Sequence, residues 1–174
     1  LTLVVAQSGE QTIKTAHQLV VALARLPEVR QRDSRGCSDI AAELRRLHPH
    51  YANLGVVGRD GILFCSALPG RTPADHSEQS WFRRAMETRQ FSFGDYQFDP
   101  AARKSTVAFG YPVVVGREVE AVVFASLDLA WLNDLASAAT LPEGATLVVV
   151  DRNGTILAHY PDSEAWIGQS HPNA

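Results

Sequence analysis

Apolar side chains recur every three or four positions over the first part of the chain, with polar and charged residues between them. This spacing predicts a long amphipathic helix over Thr2–Val29 that ends or kinks at Pro27. Beyond a polar loop, Ser38 and Asp39 are suited to cap a second helix over Ile40–Leu47. The apolar stripe of the first helix comprises Val5, Ile13, Ala16, Leu19, Val20, Ala22, Leu23 and Leu26.

Two segments with similar patterns, Leu54–Cys65 and Leu147–Ala158, each join two apolar runs through Arg-Asp-Gly or Arg-Asn-Gly. These turn residues tolerate positive φ and predict tight hairpins. The two hairpins either open two copies of one β-rich unit or are independent examples of a common motif. The strands predicted before the second hairpin are Tyr51–Val57, Ile62–Ala67, Phe91–Phe98, Ser105–Val115 and Val119–Asp128, and a phase slip near Gly94 indicates a bulge.

Two further helices are predicted, over Ser77–Glu87 and from Leu129 to a closure at Pro142–Gly144. The chain therefore reads as an α+β fold: a five-stranded antiparallel sheet flanked by a long N-terminal helix, then the start of a second unit that lacks its later strands. The predicted divisions are 1–29 for the helix, 30–140 for the first unit and 141–174 for the second.

Composition places the chain among ordinary globular proteins, because 45% of its 174 residues are hydrophobic and 20% are charged. A net charge of −3 with scattered arginines argues against nucleic-acid binding. No apolar run reaches the length of a membrane span. The apolar start, Leu1–Val5, is either the trailing edge of a membrane helix or a buried first turn.

The two cysteines, Cys37 and Cys65, are either buried thiols or one disulfide, and an oxidising compartment favours the disulfide. Cys-x-x-Cys and zinc-ligand spacings are absent, and His48 and His50 at a proline-broken helix end read as a surface loop. No nucleophilic triad, phosphate loop or carboxylate pair can be assembled from local motifs. We expect no metal, no cofactor and no catalytic activity.

Five segments in this order and spacing resemble the Cache sensor domains, and together they cover nearly the whole chain. They are Ser80–Arg83, Phe93–Tyr96, Phe109–Val113, Phe124–Leu129 and Val149–Leu157. Cache domains are extracytoplasmic, PAS-like ligand-binding domains of bacterial histidine kinases, chemoreceptors and diguanylate cyclases. The resemblance implies a membrane-distal PAS-like unit that binds the ligand and a truncated or minimal membrane-proximal unit.

The resemblance also implies a periplasmic domain of an inner-membrane protein, attached to the membrane by segments outside this sequence. A kinase or cyclase output domain would belong to the full-length protein, with a sensor histidine kinase expected first. We expect a homodimer formed through the N-terminal helix. The main hypothesis is a small-molecule sensing module, and the alternative is a non-catalytic domain that binds a periplasmic partner protein.

The candidate ligand-binding residues are Trp81, Arg83, Asp95, Tyr96, Phe109, Tyr111, Ser126 and Asp128. Strand alternation directs Tyr96, Phe109, Tyr111 and Ser126 toward one cleft beside the sheet, and Arg83 would supply a cation from another helix face. Asp95 either lines this cleft or only terminates the turn. Trp81 either walls the pocket or fills core, and Arg83 is either a binding cation or a solvated helix residue. Asp128 either contacts a ligand amine or caps the following helix.

In the amino-acid-binding members that the chain resembles, an Arg and a Tyr hold the ligand carboxylate. Here Gln79 and Ala74 occupy those positions. The resemblance therefore implies a ligand other than an α-amino acid held in the usual way, with carboxylates and amines as the expected classes.

Overall fold

Helices cover both faces of an antiparallel β-sheet in the computed structural model, which describes residues 2–70, 72–100, 102–138, 145–161 and 163–170. In chain order the elements are α1 (Thr2–Ala24), α2 (Pro27–Arg30), α3 (Ser34–Leu47), β1 (Tyr51–Gly58), β2 (Ile62–Ser66), β3 (Ala74–Asp75), α4 (Ser80–Thr88), β4 (Ser92–Asp99), β5 (Lys104–Val115), β6 (Glu118–Asp128), α5 (Leu129–Ala138), β7 (Leu147–Val150), β8 (Ile156–Tyr160) and α6 (Ser163–Trp166). Among the described residues, no helix combines the length and the hydropathy needed to cross a bilayer.

The main sheet has the strand order β3-β2-β1-β6-β5-β4. The predicted α+β class is confirmed, and the five predicted strands form the sheet together with the two-residue edge strand β3. The bulge predicted near Gly94 is confirmed by a register shift between Phe93 and Tyr96. The predicted second hairpin forms a separate two-stranded sheet from β7 and β8. The predicted closure at Pro142–Gly144 lies outside the described residues.

Each face of the main sheet has its own hydrophobic core, because successive side chains of a strand point to opposite faces. On β6, Val123, Ala125 and Leu127 pack toward α1 and α3, whereas Val122 and Phe124 pack toward α4. α1 packs across β5 and β6, α3 across β1 and β2, and α4 across β4 and β5. The sheet therefore separates the long N-terminal helix from α4.

The starts of α2 and α3 differ from the sequence prediction, and α4 begins at Ser80 rather than at Ser77. Pro27 begins α2 after α1 has ended at Ala24, since proline needs no backbone N–H at the first helical position. α3 begins at Ser34, and its cap is Asp33, whose side chain accepts a hydrogen bond from Gly36 N–H at 3.0 Å. The prediction of a cap at Ser38 and Asp39 was wrong because the earlier aspartate already satisfies the helix start.

A disulfide joins Cys37 of α3 to Cys65 of β2, with their Cα atoms 5.7 Å apart. Both residues are buried in the core between α3 and the sheet. The disulfide therefore ties α3 to the sheet.

Candidate functional site

The sheet face beneath α4 carries polar side chains from neighbouring strands. Ser126 and Asp128 follow Phe124 at every second position of β6, so they share its face. Asn53 on β1 and Ala108 on β5 stand opposite Ser126, and Thr106 stands opposite Asp128. We define the α4-face cluster as the six side chains Asn53, His76, Trp81, Lys104, Ser126 and Asp128.

Two glycines leave room for the Trp81 indole on this face. A Cβ atom built on Gly94 would lie 3.1 Å from Trp81 Cδ1, and one built on Gly110 would lie 3.1 Å from Trp81 Cε3. The Trp81 ring centroid is 4.9 Å from that of Phe124, and the His76 centroid is 5.9 Å from that of Phe124. The rings of Trp81 and His76 therefore form an aromatic half of the cluster, packed against Phe124.

Two polar atoms of the cluster, Trp81 Nε1 and Ser126 Oγ, are buried without a hydrogen-bond partner among the described residues. Trp81 is 1% exposed and Ser126 is 2% exposed. The Cδ1 edge of the indole, which bears Nε1, contacts Gly94, and Gly94 lies beside the Ala108 that pairs with Ser126. Because an unpaired buried polar group costs about 1–3 kcal/mol, these atoms are suited to bind polar atoms of a ligand.

Lys104 and Asp128 form an ion pair on the same face of the sheet, where Asp128 is two residues from Ser126 on β6. Lys104 Nζ donates to Asp128 Oδ2, and Ala130 N–H donates to Asp128 Oδ1 at 2.9 Å. The Asp128 side chain is 8% exposed and that of Lys104 is 39% exposed. The predicted capping role of Asp128 is confirmed, and the pair presents its ammonium end toward solvent.

Asn53 and His76 complete the cluster. Asn53 Oδ1 accepts Leu54 N–H at 2.9 Å and the Ser66 hydroxyl at 3.3 Å. His76 N–H donates to Gly61 O at 2.7 Å, which fixes the chain that presents the imidazole. Burial lowers the pKa of His76 below its ordinary value, although the carboxylates of Asp99 and Asp75 partly oppose this shift. The ring is therefore neutral near pH 7.

The predicted site residues do not share one cleft. Trp81, Ser126 and Asp128 lie on the α4 face, whereas Tyr96, Phe109 and Tyr111 pack with the core on the α1 face. Their positions on β5 and the bulge in β4 turn these three rings away from α4. The interpretation of a single cleft was wrong in this respect, and the part that each residue plays in binding stays a prediction.

Arg83 and Asp95 are engaged in other contacts. Arg83 is exposed and lies 3.4 Å from Glu78. Asp95 accepts two hydrogen bonds from Arg84 Nη2, each at 3.0 Å, and its N–H donates to Ser80 Oγ at 3.0 Å. Asp95 therefore joins α4 to β4.

Sequence reasoning missed Asn53, His76 and Lys104. Strand parity was the available signal for Lys104, because it is four residues from Ala108, an even spacing, and so shares its face of β5. His76 follows the short strand β3, and only the tertiary packing brings its ring to Phe124. Within the described ranges, no group of three or more His, Cys, Asp or Glu is placed to hold a metal ion.

A cavity of about 300 Å³ lies on the other face, between α1, the sheet, α5 and the second hairpin. Two polar contacts link the main sheet to that hairpin at its rim: Tyr96 N–H donates to Asp151 Oδ2 at 3.2 Å, and Arg152 Nε lies 3.9 Å from Asp95 Oδ1. The apolar residues that line the cavity are Ile13, Phe93, Val107, Phe109, Leu127, Leu132, Val149, Val150 and Leu157. The cavity therefore adjoins both sheets and α1.

An antiparallel sheet with a long N-terminal helix on one face and a short helix over a polar cluster on the other is a PAS-like architecture. The family model for the Cache domain matches residues 4–169. This chain belongs to the Cache domain family and is a Cache sensor domain. No curated protein sequence is significantly similar to it.

Solved structures of sensor domains share this fold. The sensor domain of the V. cholerae histidine kinase DctB has a TM-score of 0.77 and 12% identity, covering 95% of this chain and 66% of its own. The ligand-binding domain of the Pseudomonas fluorescens chemoreceptor CtaA, in complex with L-serine, has a TM-score of 0.72 and 18% identity, covering 96% of this chain and 71% of its own. The extracellular domain of mmHK1S-Z2 has a TM-score of 0.68 and 20% identity, covering 96% of this chain and 70% of its own. The chain thus spans about two thirds of the length of these domains.

Proposed function

We propose that this domain senses a small molecule that binds at the α4-face cluster. The observation that carries the proposal is the pair of buried, unpartnered polar atoms, Trp81 Nε1 and Ser126 Oγ, on the same sheet face as the Lys104–Asp128 ion pair. Natural folds rarely leave such groups unpaired in one place, and a ligand that bonds to them would offset their cost. Aromatic walls with a few convergent polar groups are typical of small-molecule sites.

Signal transfer in this proposal passes through the sheet to α1. β5 and β6 carry cluster residues on one face and contact α1 on the other. A ligand that binds two arrangements of α4 with different affinity would shift their populations, and the sheet would transmit the change to α1. The proposed division assigns ligand binding to 30–140, and a membrane-proximal unit begins at 141. The domain itself would be non-catalytic.

The receptor context is part of the same proposal. We infer an extracytoplasmic domain of an inner-membrane receptor, with a histidine kinase as the first candidate for the output and a diguanylate cyclase or chemoreceptor as the others. The disulfide supports an oxidising compartment, since such bonds persist outside the cytosol. The proposed homodimer would form through α1.

A thermal-shift screen of carboxylates, amines, amino acids and purines tests the proposal. Binding to the folded state alone stabilises by about 2.7 kcal/mol when the ligand is at one hundred times its Kd. Trp81→Phe removes the Nε1–H donor but keeps an aromatic ring, so it should reduce this stabilisation. Trp131→Phe, a change of the same kind at a half-buried tryptophan packed against His50, is the control and should leave it unchanged.

A screen in which no compound stabilises the domain would contradict small-molecule sensing and favour the alternative of a protein partner. If Trp81→Phe and Trp131→Phe reduce the ligand-induced stabilisation equally, the ligand binds elsewhere than at the α4-face cluster.

A further inference from the structure

Each oxygen of the Asp128 carboxylate already has one partner inside the protein. Oδ1 accepts the N–H of Ala130, and Oδ2 accepts the ammonium of Lys104. The Asp128 side chain is only 8% exposed, so a ligand ammonium competes with Lys104 for its Oδ2 atom. Replacing Lys104 in this partly buried ion pair is unfavourable unless the new cation bonds equally well.

The hydrogen-bonding capacity left in the cluster is rich in donors. Trp81 Nε1–H can only donate, and the Lys104 ammonium has three N–H groups, one of which is directed to Asp128. The Ser126 hydroxyl can donate as well. These groups match a ligand that presents oxygen acceptors.

Two further carboxylates, Asp75 and Asp99, lie at this end of the sheet. Asp99 stands opposite Lys104 across β4 and β5, and its Oδ1 accepts Ala102 N–H at 3.1 Å. Asp75 is exposed and accepts Ser77 N–H at 2.8 Å. His76 is close enough to feel both carboxylates. Asp75 and Asp99 each hold a backbone N–H group of their own turns, whereas Lys104 is paired with Asp128 on the strand that carries Ser126.

We propose that Lys104 determines the specificity of this site: its ammonium occupies the place on Asp128 that a ligand ammonium would need, so the site binds carboxylates that lack an amino group in preference to amino acids. This inference rests on the proposed function. It sets the chain apart from the chemoreceptor domain of the same fold that was solved with L-serine.

Calorimetric titration with matched pairs of probes tests the inference: propionate against L-alanine, succinate against L-aspartate, and glutarate against L-glutamate. We expect at least one acid to bind, with its amino partner about 10- to 100-fold weaker, the range that corresponds to a lost hydrogen bond to a charged group. An amino acid that binds as tightly as its partner acid would overturn the inference.

Lys104→Met should weaken the binding of the acid by a similar factor and reverse the preference, because Asp128 then lacks its cation. Lys14→Met removes the same charge from an exposed position on α1 and should change neither affinity. If Lys104→Met does not fold, the double variant Lys104→Met/Asp128→Asn removes both charges of the pair. This variant should also bind the acid more weakly than the wild type. An unchanged acid affinity in whichever of these variants folds would refute the role of Lys104.

The two proposals fail in different ways. If a purine or an amine binds at the cluster and none of these acids does, the specificity inference is wrong and the sensing function stands. If no compound of any class binds, the proposed function fails and the inference fails with it.

Discussion

Removal of the Cys37–Cys65 disulfide should destabilise the domain by several kcal/mol. The bond closes a loop with a sequence separation of 28, and the chain-entropy relation then gives roughly 3.5 kcal/mol at 25 °C. Domains of this kind have a total unfolding free energy of about 5–15 kcal/mol. The expected loss is therefore a large fraction of the stability, and it arises because the unfolded chain without the bond has more conformational freedom.

Urea denaturation followed by tryptophan fluorescence measures this effect. The oxidised protein, the protein with a reductant and the Cys37→Ala/Cys65→Ala variant should be compared at one pH. Both the reduced protein and the variant should unfold at lower urea concentration, and the reductant should have no further effect on the variant. Alanine is preferred to serine because both positions are buried, at 2% and 0% exposure.

A loss below about 1 kcal/mol in both samples would refute the reasoning, since it would mean that the bond does not constrain the unfolded chain as the entropy relation requires. Insensitivity of the wild-type protein alone, with a destabilised variant, would instead show that the two thiols are unbonded in solution.

Three further predictions concern single residues. Gly110→Ala places a Cβ 2.9 Å from Ser92 Oγ and 3.0 Å from Trp81 O, so it should cost about 1–3 kcal/mol in urea denaturation and weaken ligand stabilisation by displacing Trp81; an unchanged midpoint would contradict the tight seating of the indole. Asp33→Ala should lower the free energy of unfolding by about 1 kcal/mol because it removes the α3 cap, whereas Asp39→Ala should have little effect. A lower urea midpoint for Asp39→Ala than for Asp33→Ala would instead support the cap predicted from the sequence. Burial lowers the pKa of His76 in the folded protein, so the imidazole binds a proton more readily in the unfolded chain. The free energy of unfolding should therefore fall as the pH drops below about 6.5. Between pH 7 and pH 5 the His76→Asn variant should lose less unfolding free energy than the wild type. Burial also lowers the pKa of His50, but His50 contributes the same pH dependence to both proteins.

Local patterns were enough to predict most elements of this fold. Helical and alternating periodicities, turn residues and the phase slip at Gly94 are properties of neighbouring residues, and they led to five strands, the bulge, the second hairpin and the Asp128 cap. The helix starts were less well predicted, because Ser38–Asp39 and Asp33 offer the same capping chemistry and only the folded backbone selects between them.

The candidate site depended on information that no local pattern contains. Strand alternation predicts one cleft for Tyr96, Phe109, Tyr111 and Ser126, but strand pairing and the bulge direct the three aromatic rings to the opposite face. Parity places Lys104 on the α4 face of β5, but only tertiary packing brings its ammonium to Asp128 and the His76 ring to Phe124. The sequence by itself determined the elements and their order, since these follow from periodicity and turn chemistry. Only the tertiary structure decided which side chains meet, because the face of each strand is set by register with its neighbours.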